Sequence, residues 1–87
     1  TEAIQLNERY AVAYNGRGLA YFDQKKFDDA IRDYDEAIKL SPKFAVAWNN
    51  RGVAKAADKK HEEAIEDFNQ AIKLNERYAI AYLNRAK

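Results

Sequence analysis

The stretch EAIKLSPKFAVAW, residues 36–48, decides the fold, because the chain carries it in three versions. Residues 2–14 read EAIQLNERYAVAY, and residues 70–82 read QAIKLNERYAIAY. Successive copies lie 34 residues apart, so Ala3, Ala37 and Ala71 correspond. So do Tyr10, Phe44 and Tyr78, and likewise Tyr14, Trp48 and Tyr82. A fixed period of this length is the signature of stacked supersecondary units. Two whole periods fit, residues 11–44 and 45–78. Residues 1–10 read as the end of a preceding unit, and residues 79–87 as the start of a following one.

Within a period the apolar spacing is helical twice over. Ala13, Tyr14, Arg17, Gly18 and Tyr21 recur at three and four residues, and Phe27, Ala30, Ile31, Tyr34, Ala37, Ile38 and Leu40 form a second stripe. The polar Asp23-Gln24-Lys25-Lys26 between them suits a short helix–helix turn. The second period repeats the plan. Ala47, Trp48, Arg51 and Gly52 precede a polar Asp58-Lys59-Lys60, and His61, Ala64, Ile65, Phe68, Ala71, Ile72 and Leu74 follow it. Pro42 cannot continue a helix, and it pushes Ser41 out of the helical region. Asn7 and Asn75 stand at the place of Ser41 and are expected to end helices there. A hairpin of this size buries its apolar faces only by stacking on neighbours, which predicts an all-α array.

Composition narrows the function. Fifteen basic and fourteen acidic side chains nearly cancel, so no basic excess is present to neutralise phosphates, and a nucleic-acid partner is disfavoured. No membrane role is indicated either, since no apolar run approaches the ~20 residues a spanning helix needs. Residues 1–5 have neither the basic start nor the apolar stretch of a signal peptide. Cysteine is absent, which excludes disulfides and thiol chemistry and leaves the compartment open.

These residues resemble the tetratricopeptide repeat. Its pattern sets an aromatic, Leu-Gly, Tyr, Ala, an aromatic and Pro at fixed offsets. The first period supplies Tyr14, Gly18, Tyr21, Ala30, Tyr34 and Pro42, and the second Trp48, Gly52, Ala64 and Phe68. Arg17 and Arg51 depart from the pattern's leucine, Lys55 from its tyrosine and Glu76 from its proline. The resemblance implies antiparallel helix hairpins stacked as a right-handed α-solenoid. It also implies a concave groove lined by the first helix of each hairpin. Gly18, Gly52, Ala30 and Ala64 are small where helices must approach closely, and Tyr14, Trp48 and Tyr82 are plugs against the preceding hairpin.

The groove expected from the resemblance comprises Val12, Asn15, Leu19 and Phe22, then Val46, Asn49, Asn50 and Val53, then Ile80, Leu83 and Asn84, with Gly16 and Ala57 beside them. Apolar side chains outside the core stripe mark an interaction site, and asparagines offer donors and acceptors to a peptide backbone. The alternative is that the same residues pack on neighbouring helices. Chaperone-binding relatives hold a C-terminal carboxylate with a clamp of lysines, an arginine and asparagines. At the matching places this chain has Asn15, Leu19, Asn50, Ile80 and Asn84, and only Asn50 agrees. A carboxylate would be desolvated there with little charge compensation, so acidic chaperone tails are not expected to bind.

No constellation for catalysis, metal or cofactor emerges. His61 stands at the place of Phe27 and reads as a packing residue rather than a base. The carboxylates Asp28-Asp29, Asp33, Asp35-Glu36, Glu62-Glu63 and Glu66-Asp67 interleave with Arg32, Lys39 and Lys73 and read as a solvated convex face, with Asp35–Lys39 as an i,i+4 pair. Ser41 has no partner for nucleophilic chemistry, and Gly16-Arg17-Gly18 lies in a helix rather than a phosphate-binding loop. Arg17, Arg51 and Arg85 recur at the repeat period, either as groove anion contacts or as bridges to acidic neighbours. The leading expectation is therefore a scaffold for a protein or peptide. The alternative is head-to-tail self-association, in which the half-helices of residues 1–6 and 79–87 of two molecules complete a hairpin.

Overall fold

A computed structural model describes residues 2–74 of the chain and the side chains of residues 5–74. They form four helices, α1 (Glu2–Asp23), α2 (Phe27–Leu40), α3 (Ala45–Ala57) and α4 (His61–Leu74). Helices α1 and α2 make one antiparallel hairpin, α3 and α4 the next, and α2 packs against α3 between them.

The two hairpin turns are the same object built twice. The N–H of Lys26 donates to the carbonyl of Tyr21, and that of Lys25 to Phe22. Thirty-four residues on, Lys60 donates to Lys55 and Lys59 to Ala56. This is the bonding of a Schellman end, which needs a left-handed residue at the turn. Lys25 (φ 64°) and Lys59 (φ 65°) supply it, where glycine would be the unstrained choice. The following helices open with Asp28 and Asp29 or Glu62 and Glu63 and close with Lys39 or Lys73, both favourable to the helix dipole. Between hairpins the turn is set by Pro42: Ser41 leaves the helical region at φ −142°, and the indole N–H of Trp48 donates to the Pro42 carbonyl at 2.8 Å.

The expected helix end at Asn7 does not form. Helix α1 runs through Asn7, Glu8 and Arg9 for 22 residues. Glu8 occupies the place of Pro42, retains its backbone N–H, and leaves the residue before it free to stay helical. Asn75, the other expected end, lies outside the described residues.

Close approach of helices is paid for by glycine at two positions only. A Cβ on Gly18 would lie 2.5 Å from the Tyr34 ring, and one on Gly52 2.6 Å from the Phe68 ring. Ala30 and Ala64 are buried, Ala30 in one cluster with Tyr34, as expected of small residues at a helix crossing. Burial pushes the Tyr34 phenol up to about 12, aided by Asp23 and Asp33, so the group remains neutral inside the hairpin. The second core gathers Ala11, Ala37, Ile38 and Ala47, with Tyr14, Leu40, Phe44 and Trp48 packed around them. Trp48 also meets Ala71 and Ile72, so it plugs both sides of α3.

An ionic clip in each hairpin corrects the picture of a uniformly solvated acidic face. Arg17 donates to Asp33 through Nε and Nη2, both at 2.7 Å. Arg51 does the same to Asp67 at 2.9 and 2.7 Å. Asp33 and Asp67 are buried, whereas Asp28, Glu62 and Glu66 are exposed as expected. Asp35 does not serve Lys39. Its carboxylate accepts the third nitrogen of Arg51, Nη1, at 2.8 Å and so ties α2 to α3. Lys55, at the place of Tyr21, is drawn to the same centre, 3.3 Å from Asp67 and 3.7 Å from Glu63. Hydrogen bonding to Asp33 raises the Arg17 pKa. Burial alone would lower that of Arg51, but its bonds to Asp67 and Asp35 outweigh burial and raise it. His61 is exposed rather than packed. The tilted Phe22–Phe27 ring pair of the first hairpin, 5.4 Å between centroids, has Ala56 and His61 at its places in the second, so no ring awaits the histidine.

The glycines separate cleanly in a stability experiment. Gly16 is exposed with nothing within 4 Å of an added Cβ, so Gly16→Ala should stabilise by about 1 kcal/mol through helix propensity. Gly18→Ala should cost ~1–3 kcal/mol through the Tyr34 clash. Urea unfolding of the two variants checks the opposite signs. In the same assay Asp67→Asn should cost about 3 kcal/mol, because it strips a buried anion from Arg51 and Lys55. Asp33→Asn should cost less, because the Arg17 side chain, 60% exposed, can return to water. Equal losses for the two aspartates would contradict this placement of charge.

Candidate functional site

The first helices of the two hairpins, α1 and α3, lie side by side and are joined by one side-chain bond. Asn50 Nδ2 donates to Asn15 Oδ1 at 2.9 Å. Asn15 is 8% exposed and Asn50 half-buried, so this bond lies at the seam between repeats. A hydrogen bond here fixes the register of α3 against α1 at the surface where their outward faces meet.

Around that seam the expected residues separate into two groups. Val12, Leu19 and Val46 are exposed, at 59, 43 and 38%. Phe22 and Val53 are half-buried, and Gly16 and Ala57 are exposed. These form an apolar, uncharged strip along α1 and α3. Asn49, in contrast, is 3% exposed and belongs to the interior. Its polarity gave no sign of this. The signal available was the period itself, since Asn49 corresponds to Asn15, the buried member of the seam. Ile80, Leu83 and Asn84 lie outside the described residues, as does Arg85.

The electrostatics of the strip follow from the clips. Between residues 11 and 23 and throughout α3, the cationic side chains are Arg17, Arg51 and Lys55. All three are turned to carboxylates of α2 and α4. Arg17 also lies over the rings of Tyr14 and Tyr21, at 5.5 and 5.9 Å, and Arg51 over Trp48 at 4.8 Å. Of the two readings of the periodic arginines, bridging within the fold is therefore the one found. Among the described residues no group of His, Cys, Asp or Glu is arranged to hold a metal, and no helix is long and apolar enough to cross a membrane. An uncharged strip flanked by internally paired ions can exclude water from an apolar segment and offer amide groups to its backbone, but it supplies no acid, base or nucleophile.

Comparison with known proteins agrees with this architecture. The family model of the tetratricopeptide repeat matches residues 11–44 and 45–78. The second tetratricopeptide domain of Spaghetti (RPAP3), solved bound to the HSP90 peptide SRMEEVD, is 34% identical with a TM-score of 0.93, over 98% of this chain and 78% of that one. The first such domain of Spaghetti, bound to the same peptide, is 35% identical with a TM-score of 0.88, over 90% of this chain. The TPR2B domain of yeast Sti1, solved as its pHsp70 complex, is 32% identical with a TM-score of 0.88, again over 90% of this chain. The chain spans 62% of the length of each of the latter two. Curated protein sequences give no match. With two adjacent repeats matched over most of its length, the chain belongs to the tetratricopeptide repeat family.

Proposed function

We propose that the chain is a protein-interaction scaffold that holds an uncharged, largely apolar peptide segment along α1 and α3. The observation that carries this reading is the exposed strip of Val12, Leu19 and Val46 beside the Asn15–Asn50 seam, with Phe22 and Val53 half-buried at its edge. Apolar side chains on the outer face of helices, rather than in the core, mark a contact surface. Ile80, Leu83 and Asn84 stand one period on from Val46, Asn49 and Asn50 in the sequence. Asn49, being buried, is left out of it. The reading is one of binding, in keeping with a family of interaction modules and with solved relatives that hold chaperone peptides.

The ligand chemistry should differ from that of those relatives. A peptide such as SRMEEVD carries several carboxylates, which need cations when they leave water. Leu19 stands at one matching place, and Arg17, Arg51 and Lys55 are already paired with aspartate and glutamate.

Two probes test the proposal. The SRMEEVD peptide should bind no more tightly than about 1 mM in calorimetry. Neutral apolar peptides selected from a displayed library should shift the NMR signals of Val12, Leu19 and Val46, and Leu19→Glu should weaken them about tenfold or more. Leu19 is exposed, so that change leaves the core intact. Micromolar binding of SRMEEVD, or selected peptides that map to α2 and α4, would overturn the assignment.

A further inference from the structure

The sequence holds a single Asn-Gly step, Asn15-Gly16. Asparagine before glycine is chemically labile, because no Cβ on the second residue shields the asparagine amide carbon from the backbone nitrogen between them. The other asparagines are followed by glutamate, asparagine, arginine or glutamine, each of which carries that shield. Asn49 is the internal control. It stands one period on from Asn15 and is buried like it, but Asn50 follows it.

Two features of the fold hold this step in check. It lies well inside α1, where the Gly16 N–H is committed to the helix and the helical backbone turns that nitrogen away from the Asn15 side chain. The side chain is also pinned, since its Oδ1 accepts Asn50 Nδ2 at 2.9 Å across the seam. Gly16 works against the first restraint, being the least helix-favouring residue after proline. The same residue therefore bares the reacting carbon and weakens the helix that protects it.

We infer that Asn15 is a latent deamidation site, guarded by α1 and by the Asn50 bond, with water as its co-reactant. When α1 opens at this turn, the Gly16 backbone nitrogen loses its proton and attacks Asn15 Cγ. A bond forms between them, the Cγ–Nδ2 bond breaks, and the side-chain nitrogen takes up a proton and leaves as ammonia. Water then opens the cyclic imide at either carbonyl. Opening at Cγ leaves an aspartate. Opening at the main-chain carbonyl leaves an isoaspartate, whose chain runs through Cγ and cannot continue the helix. Either product sets a carboxylate where the seam had a neutral amide, and Arg17, Arg51 and Lys55 nearby in the sequence pattern are already paired with carboxylates. The surface between α1 and α3 thus gains a poorly compensated negative charge as the molecule ages.

The test incubates the chain in mildly alkaline buffer, folded and in denaturant, and follows each asparagine by peptide-resolved mass spectrometry. An isoaspartate methyltransferase assay distinguishes the two products. Conversion should appear first at Asn15, as isoaspartate and aspartate together. It should be at least about tenfold slower in the folded chain, because reaction waits for local opening. Asn50→Ala should speed the folded reaction about threefold or more, the scale of one neutral hydrogen bond. Gly16→Ala, at an open position, should suppress conversion in both states. The two wild-type rates carry the test even where Asn50→Ala does not fold. Three results overturn the inference: equal rates in the folded and denatured chain, conversion of Asn49 as fast as that of Asn15 in denaturant, or an unchanged rate in folded Asn50→Ala.

Discussion

The three-way contact of Arg51 is the interaction on which the rest of the structure depends. Its planar fork holds Asp67 on α4 with two nitrogens and Asp35 on α2 with the third, while its own helix is α3. One side chain thus sets the spacing within a hairpin and the stacking between hairpins. A lysine could neutralise the same charge but could not reach both carboxylates in fixed directions. The Asn15–Asn50 bond and the Trp48 anchor on the Pro42 carbonyl act at the same boundary. Together they place α1 and α3 as neighbours, and that placement makes one surface out of two helices.

The clips also explain the chemical character of that surface. Cations of the first helices could have faced outward and recruited anions. Arg17, Arg51 and Lys55 are instead paired with Asp33, Asp67, Asp35 and Glu63, which leaves the outer face to valine, leucine and asparagine. Burial of Asp33 and Asp67 makes the arrangement hard to reverse, since a ligand carboxylate would have to compete with an acceptor already desolvated and in place. In the proposed binding mode, specificity therefore begins inside the hairpins rather than at the outer strip.

The architecture was legible in the sequence because it repeats. A period of 34 residues, glycine at Gly18 and Gly52, and proline at Pro42 each correspond to a physical need found in the structure. What remained hidden depended on pairs. Asp33 and Asp67 looked like surface carboxylates until matched with Arg17 and Arg51, and the clue was a spacing of 16 residues shared by both pairs. His61 stands at the place of Phe27, but Ala56, at the place of Phe22, removes the ring it would meet. Asn7 looked like a helix end by analogy with Ser41, but the break at Ser41 belongs to Pro42, and Glu8 has no such effect. Within the groove, type of residue distinguished apolar from polar but could not separate the buried Asn49 from the half-buried Asn50.

Through Asp67 and Asp35, Arg51 couples the two hairpins into one rigid unit. Native-state hydrogen exchange measures this directly, because a coupled unit opens with one free energy. The slowest amides of α1–α2 and of α3–α4 should share one opening free energy in the wild type, and Asp35→Ala should split them into two values. Two distinct values in the wild type, or a single value that survives Asp35→Ala, would contradict this coupling.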